Sequence, residues 1–191
     1  VVEVMGRDCG QIALYAAIAS GAVAVAVPEV PFDEAAAIEK IKKLRADGKR
    51  GMIVVVSEGM RNADGTPYAE TLAKKIEAET GVETKFARFA HIVRGGAPTL
   101  RDRFTASRMG VRAVEMLLEG KSNVVMCVEH GKITSVDINY ALMLDRMYKG
   151  KLKDGDLEKF SPETVAWMRE FCHKKFEKFK RHYDLAYEIS K

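Results

Sequence analysis

Five short runs rich in β-branched and apolar residues, Val1–Met5, Val23–Val27, Met52–Ser57, Thr84–Phe89 and Asn123–Val128, alternate with stretches of helical character. That alternation narrows the choice of fold more than any other feature, because a helix between two strands carries the chain back over the sheet and makes the strands parallel. The expected fold class is α/β, a three-layer parallel sheet with helices on both faces. Helix ends are legible. Asp33 is placed to cap the segment holding Ile38, Ile41 and Leu44, Gly81 to end the one holding Leu72 and Ile76, and a helix from about Arg101 to Leu118 stops near Gly120. Glu129-His130-Gly131-Lys132 reads as a hairpin turn, which adds a local antiparallel piece.

Chemistry-bearing residues gather where these runs end. Val1-Val2-Glu3-Val4 gives way to Met5-Gly6-Arg7-Asp8-Cys9-Gly10 and then to an apolar helix, which sets Arg7 at the carboxyl end of a strand beside a helix N-terminus. Free amides and the positive end of the helix dipole favour anions there, and a guanidinium can bind phosphate through two hydrogen bonds. Glu58 follows Ile53–Ser57 and precedes Gly59, so it reaches the same edge. The run from Lys85 to Gly96 ends in His91-Ile92-Val93-Arg94-Gly95-Gly96, an imidazole and a guanidinium ahead of a double glycine that lets the backbone approach a bound group. Taken one at a time, each has an ordinary alternative: a tight turn with a surface Arg7, a loop or helix-start Glu58, a structural His91, a surface Arg94.

Composition is compatible with these readings without leading to them. At 191 residues and 47% hydrophobic content, the chain can bury a substantial core as one large domain or parts of two. No run approaches the roughly 18 apolar residues of a membrane span, and the start shows no secretory pattern, so a cytoplasmic protein is expected, with no membrane partner. Cys9, Cys127 and Cys172 suggest neither a disulfide framework nor a zinc site, and no metal ligands are assigned. A formal charge of +4, from 31 basic and 27 acidic side chains, favours anionic ligands without demanding nucleic acid.

Met5-Gly6-Arg7 and His91-Ile92-Val93-Arg94-Gly95-Gly96 together resemble the signatures of the 6-phosphofructokinases, over Val1 to about Tyr148, roughly the C-terminal half of that family's chain. The resemblance implies phosphoryl transfer from ATP to the 1-hydroxyl of fructose 6-phosphate. It implies Met5, Gly6 and Arg7 at the sugar, with Arg7 beside the transferring phosphoryl, Glu58 on sugar hydroxyls, and His91, Ile92, Val93 and Arg94 at the 6-phosphate loop. Val93 replaces the usual Gln or Leu. Lys85 stands where the family reaches across an interface to the neighbour's 6-phosphate, which implies a homo-oligomer, a tetramer, with shared sites. The glycine-rich nucleotide loop and the Thr-x-Asp-x-Asp base region are absent, so Mg2+ ligands are expected upstream and this chain alone is expected to be inactive.

The family's effector pocket maps to Gly21, Lys49, Arg50 and Gly51. Val23 and Asp47 stand where an acid and a base are usual, so weak or altered nucleotide activation is expected. The expected divisions are a sugar-phosphate-binding α/β region at 1–95, the remainder of the α/β core at 96–150, partly returning to the nucleotide-side domain, and a helical extension at 151–191. In the last, Ser161 caps and Pro162 opens a helix with Val165, Met168, Cys172, Phe176, Phe179 and Tyr183 on one side, up to about 29 residues and about 43 Å long. Its basic face, with Lys174, Lys175, Lys178, Lys180 and Arg181, is diluted by Glu170, Glu177 and Asp184, which favours a docking helix over membrane or nucleic-acid contact. A pyrophosphate-dependent enzyme and a non-catalytic phosphosugar sensor are the alternatives.

Overall fold

The computed structural model describes residues 1–190. Four strands, β1 (Val2–Val4), β2 (Ala24–Ala26), β3 (Val54–Ser57) and β4 (Ala87–Ala90), form one parallel sheet in the order β2-β3-β1-β4. Between them run α1 (Gln11–Ser20), α2 (Glu34–Ala46) and α3 (Tyr68–Thr80). Side chains alternate across the sheet. Val4, Val25 and Val55 pack with Leu14 and Ala17 of α1, whereas Ala24, Ala26, Val54 and Val56 pack with Ile38 and Ile41 of α2 and Leu72 and Ile76 of α3. The sheet is therefore covered on both faces, as the apolar character of its strands requires.

The predicted caps hold. Asp33 accepts from the Ala36 amide at 2.9 Å, and Gly81 closes α3 at φ 64°, a conformation that favours glycine.

Two strand predictions need correction. β4 begins at Ala87, not Thr84, because the Thr84 hydroxyl turns back to the Val82 carbonyl and the regular register with β1 starts with Val2 opposite Ala87. The fifth run does not join the parallel sheet. It forms β5 (Val124–Glu129), paired antiparallel to β6 (Lys132–Asp137) in a separate two-stranded sheet. His130 and Gly131, at φ 49° and 78°, make the two-residue turn, and this local pairing supplies the ladder bonds that a distant parallel partner would have given.

The chain divides into two compact units. One comprises Val1–Gly95 with the residues from Phe176 on, the other Gly96–Lys175. In the second, α4 (Leu100–Leu118), opened by a Thr99/Asp102 capping box, and α5 (Ile138–Tyr148), capped by Asp137, contact the hairpin. The last helix, α6 (Pro162–Ile189), contributes to both units. Its Phe179, Tyr183 and Ala186 pack on the α1 face of the parallel sheet, while Met168 and Cys172 are buried in the second unit. Phe176, assigned to the buried stripe, is 36% exposed, since it falls where the helix passes from one unit to the other. Among the described residues no helix is long and apolar enough to cross a membrane.

Candidate functional site

β1 and β3 are neighbours, yet the helix following β1 lies on one face of the sheet and the helix following β3 on the other. Such a switch in direction opens a crevice at the carboxyl ends of the two strands, where open α/β sheets bind ligands. Met5-Gly6-Arg7 leaves β1 on one side of it and Glu58 leaves β3 on the other. The Gly6 amide donates to Glu58 Oε1 at 3.3 Å, the Ser57 hydroxyl donates to Gly6 O at 2.5 Å, and the Glu58 amide donates to Val4 O at 2.9 Å. Both polar groups of the Gly6 residue are thus tied to β3, and the Glu58 carboxylate is oriented by a backbone donor. Gly6 has φ 142°, and a Cβ there would overlap the Cys9 carbonyl; one on Gly59 would overlap the Arg7 carbonyl. The two loops touch backbone to backbone, and only glycines permit it.

The third loop belongs to β4, on the other side of β1. His91–Arg94 form one 3₁₀ turn, entered through Ala90 and left through Gly95 at φ 82°. Val93 packs into the core shared by α1 and β1 and anchors the turn, while His91, Ile92 and Arg94 are exposed. Arg7 is exposed too. The structure therefore brings Met5, Gly6, Arg7, Glu58, His91, Ile92, Val93 and Arg94 to one edge of three adjacent strands. That edge carries two guanidiniums, an imidazole and one oriented carboxylate, a combination suited to binding an anion that also bears hydroxyls.

Lys85 is not among them. It precedes β4, at the opposite end of the sheet, where its ammonium pairs with Glu83 at 2.5 Å. The hydrogen bond to that carboxylate pushes the Lys85 pKa up. Lys85 lines a cleft of about 480 Å³ together with Arg45, Lys49, Arg50 and Gly51, which gathers three of the four residues assigned to an effector pocket. Gly21, the fourth, caps α1 outside that lining, and Val23 is wholly buried.

Three site features went unread in the sequence. Glu29 accepts from the Gly10 amide with both carboxylate oxygens, at 2.8 and 2.9 Å, so this amide at the start of α1 already has an anion of the chain's own. Ser57 had only its position before Glu58 to mark it. Arg88 donates from Nε to Glu3 Oε1 at 2.6 Å. Among the described residues no group of three or more His, Cys, Asp or Glu side chains is placed to hold a metal ion.

A doubly wound sheet with guanidiniums gathered beside a switch point places the chain among α/β proteins, with an arrangement suited to a phosphorylated ligand. It belongs to the phosphofructokinase family, whose sequence model matches residues 1–117. The chain is similar to the ATP-dependent 6-phosphofructokinase 1 of Clostridium perfringens (strain 13 / Type A), 48% identical over 152 residues that cover 80% of this chain and 46% of that protein. The ATP-dependent 6-phosphofructokinase of Clostridium acetobutylicum is 44% identical over 154 residues, covering 81% and 46%. The phosphofructokinase structure from Saccharomyces cerevisiae superposes with a TM-score of 0.68 at 28% identity, covering 92% of this chain and 24% of that one. The chain spans about half the length of the curated relatives it matches.

Proposed function

We propose that the chain supplies the fructose-6-phosphate side of a cytoplasmic ATP-dependent 6-phosphofructokinase, which transfers the terminal phosphoryl group of ATP to the sugar 1-hydroxyl. The observation that carries the reading is the convergence of the loops after β1, β3 and β4 on one edge. His91 and Arg94 bind the 6-phosphate as charge-assisted donors on a rigid turn. Glu58, oriented by the Gly6 amide, accepts from sugar hydroxyls. Met5, Gly6, Ile92 and Val93 shape the sugar's surroundings. Arg7, on the turn tied to β3, stabilises the charge that develops on the transferring phosphoryl, a reaction that depends on positioning and electrostatics. Lys85, at the far edge, serves the 6-phosphate of a neighbouring subunit in a homotetramer, and the cleft with Lys49 and Arg50 takes an anionic effector.

The reading is tested by a coupled assay for fructose 1,6-bisphosphate with the full-length protein, magnesium, and either ATP or pyrophosphate. Turnover with ATP is the expected result. Turnover with pyrophosphate alone would reassign the donor. Sugar binding without turnover from either donor would make the protein a phosphosugar sensor.

A further inference from the structure

Among the described residues β4 is the edge strand of its sheet, hydrogen-bonded to β1 on one side, and no residue of it is buried. Packing holds this segment at its flanks, where Phe86 and Val93 lie against the two cores, but within β4 itself little packing distinguishes one alignment from the next. Yet the 3₁₀ turn that carries His91 and Arg94 grows directly from its end, so any slip of β4 would move both groups relative to Arg7. The register itself is irregular there. Val2 pairs with Ala87 and Glu3 with Arg88, but Val4 pairs with Ala90, which leaves Phe89 as an extra, bulged residue. Ala90 then takes φ 44° and ψ −122°, a conformation that favours glycine. A bulge followed by a strained residue re-aims a chain, provided something holds the strand before it.

Arg88 is placed to do that. It is the last regularly paired residue before the bulge, and its Nε reaches the carboxylate of its cross-strand partner Glu3 at 2.6 Å. Glu3 sits on the central strand with its side chain only 7% exposed, whereas Arg88 is 47% exposed and has its guanidinium over the Phe86 ring, 5.5 Å from the centroid. A carboxylate buried to that degree needs its partner, and the observed register sets Arg88 directly opposite it.

We propose that Arg88 is a positioning residue: its ion pair with Glu3 fixes β4 at the bulge, and so fixes where His91 and Arg94 stand over the sugar-phosphate edge. It touches no ligand itself. This inference rests on the functional reading above, and its test separates the two.

Fructose 6-phosphate binding by calorimetry, steady-state kinetics and melting temperature would be measured on the full-length protein and its Arg88→Met, Arg88→Lys and Arg88→Met/Glu3→Gln variants. His91→Ala, alone and combined with Arg88→Met, completes the set. The expected result is sugar binding about tenfold weaker or more in Arg88→Met with kcat at saturating sugar unchanged, since a small misplacement of binding groups acts on affinity. Arg88→Lys, which keeps a cation for Glu3, should recover most of the loss. The charge-free pair Arg88→Met/Glu3→Gln should recover melting temperature without affinity, because it removes the buried charge but not the need for a lock. In the His91→Ala background the further loss from Arg88→Met should be less than additive. Wild-type affinity in a folded Arg88→Met protein, or fully additive losses, would overturn the proposal. If the wild type binds no fructose 6-phosphate, the functional reading fails first, and the His91 ring resonance then decides: a signal unmoved by Arg88→Met overturns the positioning role, and one that moves and returns with Arg88→Lys sustains it.

Discussion

Gly6 holds two strands together through its own backbone, which makes its neighbours sensitive out of proportion to their size. Ser57 is fully buried and its hydroxyl meets Gly6 O. Ser57→Ala removes the closer of that carbonyl's two donors, leaving the Cys9 amide at 3.4 Å, and should cost about 1 kcal/mol, visible as a lower urea midpoint with an unchanged slope. The exposed polar groups divide their work. Arg7→Ala should lower kcat by about 10²–10³-fold, as for loss of a group that acts on charge in the transition state, while His91→Ala should mainly raise KM for the sugar phosphate. Steady-state kinetics on both variants check the division, and unchanged turnover in Arg7→Ala would refute it. Ala90 illustrates a different residue-scale effect. Its positive φ disfavours any side chain, so Ala90→Gly should stabilise the fold by about 1 kcal/mol in equilibrium unfolding.

Among the elements, α6 carries the sharpest contrast. Phe179 is buried against the α1 face of the sheet and Phe176, less than one turn earlier, is not. Phe179→Ala should cost about 3 kcal/mol or more, whereas Phe176→Ala should stay within about 1 kcal/mol, both by chemical denaturation. Sequence periodicity placed these two residues on one stripe because it reads spacing along a helix and not which partner waits at each turn. The same limit explains the strands. Val54–Ser57 was legible because its run is almost continuously apolar, but the partner of β5 depends on a turn beside it. α5 was missed because it follows β6 without a break, so the apolar run Ile138–Leu144 carried no loop to announce it. In the site, Arg7, Glu58, His91 and Arg94 could be read because each ends a strand run. Glu29 and the Glu3 pairing of Arg88 could not, since their partners are 19 and 85 residues away.

At the scale of the whole molecule, Lys85 lies at the opposite end of the sheet from Arg7, so the two serve one site only if subunits share it. Mixed assemblies of Arg7→Ala and Lys85→Ala subunits should then regain sites with both cations. Random equal mixing gives roughly a quarter of sites intact in a two-subunit site. Activity above the mean of the separate variants, after mixing by denaturation and refolding, is the expected outcome; strict averaging would place Lys85 outside the shared site.

The discontinuity of the first unit bears on how the protein is made. Its sheet is complete by Gly95, but the segment from Phe176 that covers the Val4, Leu14 and Val55 face comes only after the second unit has been synthesised. At 5–20 residues per second, roughly 80 intervening residues take about 4–16 s. For that interval the face of the nascent sheet that carries α1 lacks the part of its cover that Phe179, Tyr183 and Ala186 supply, so the ribosome's pace, and whatever chaperone meets the chain there, bears on how much of it reaches the folded state.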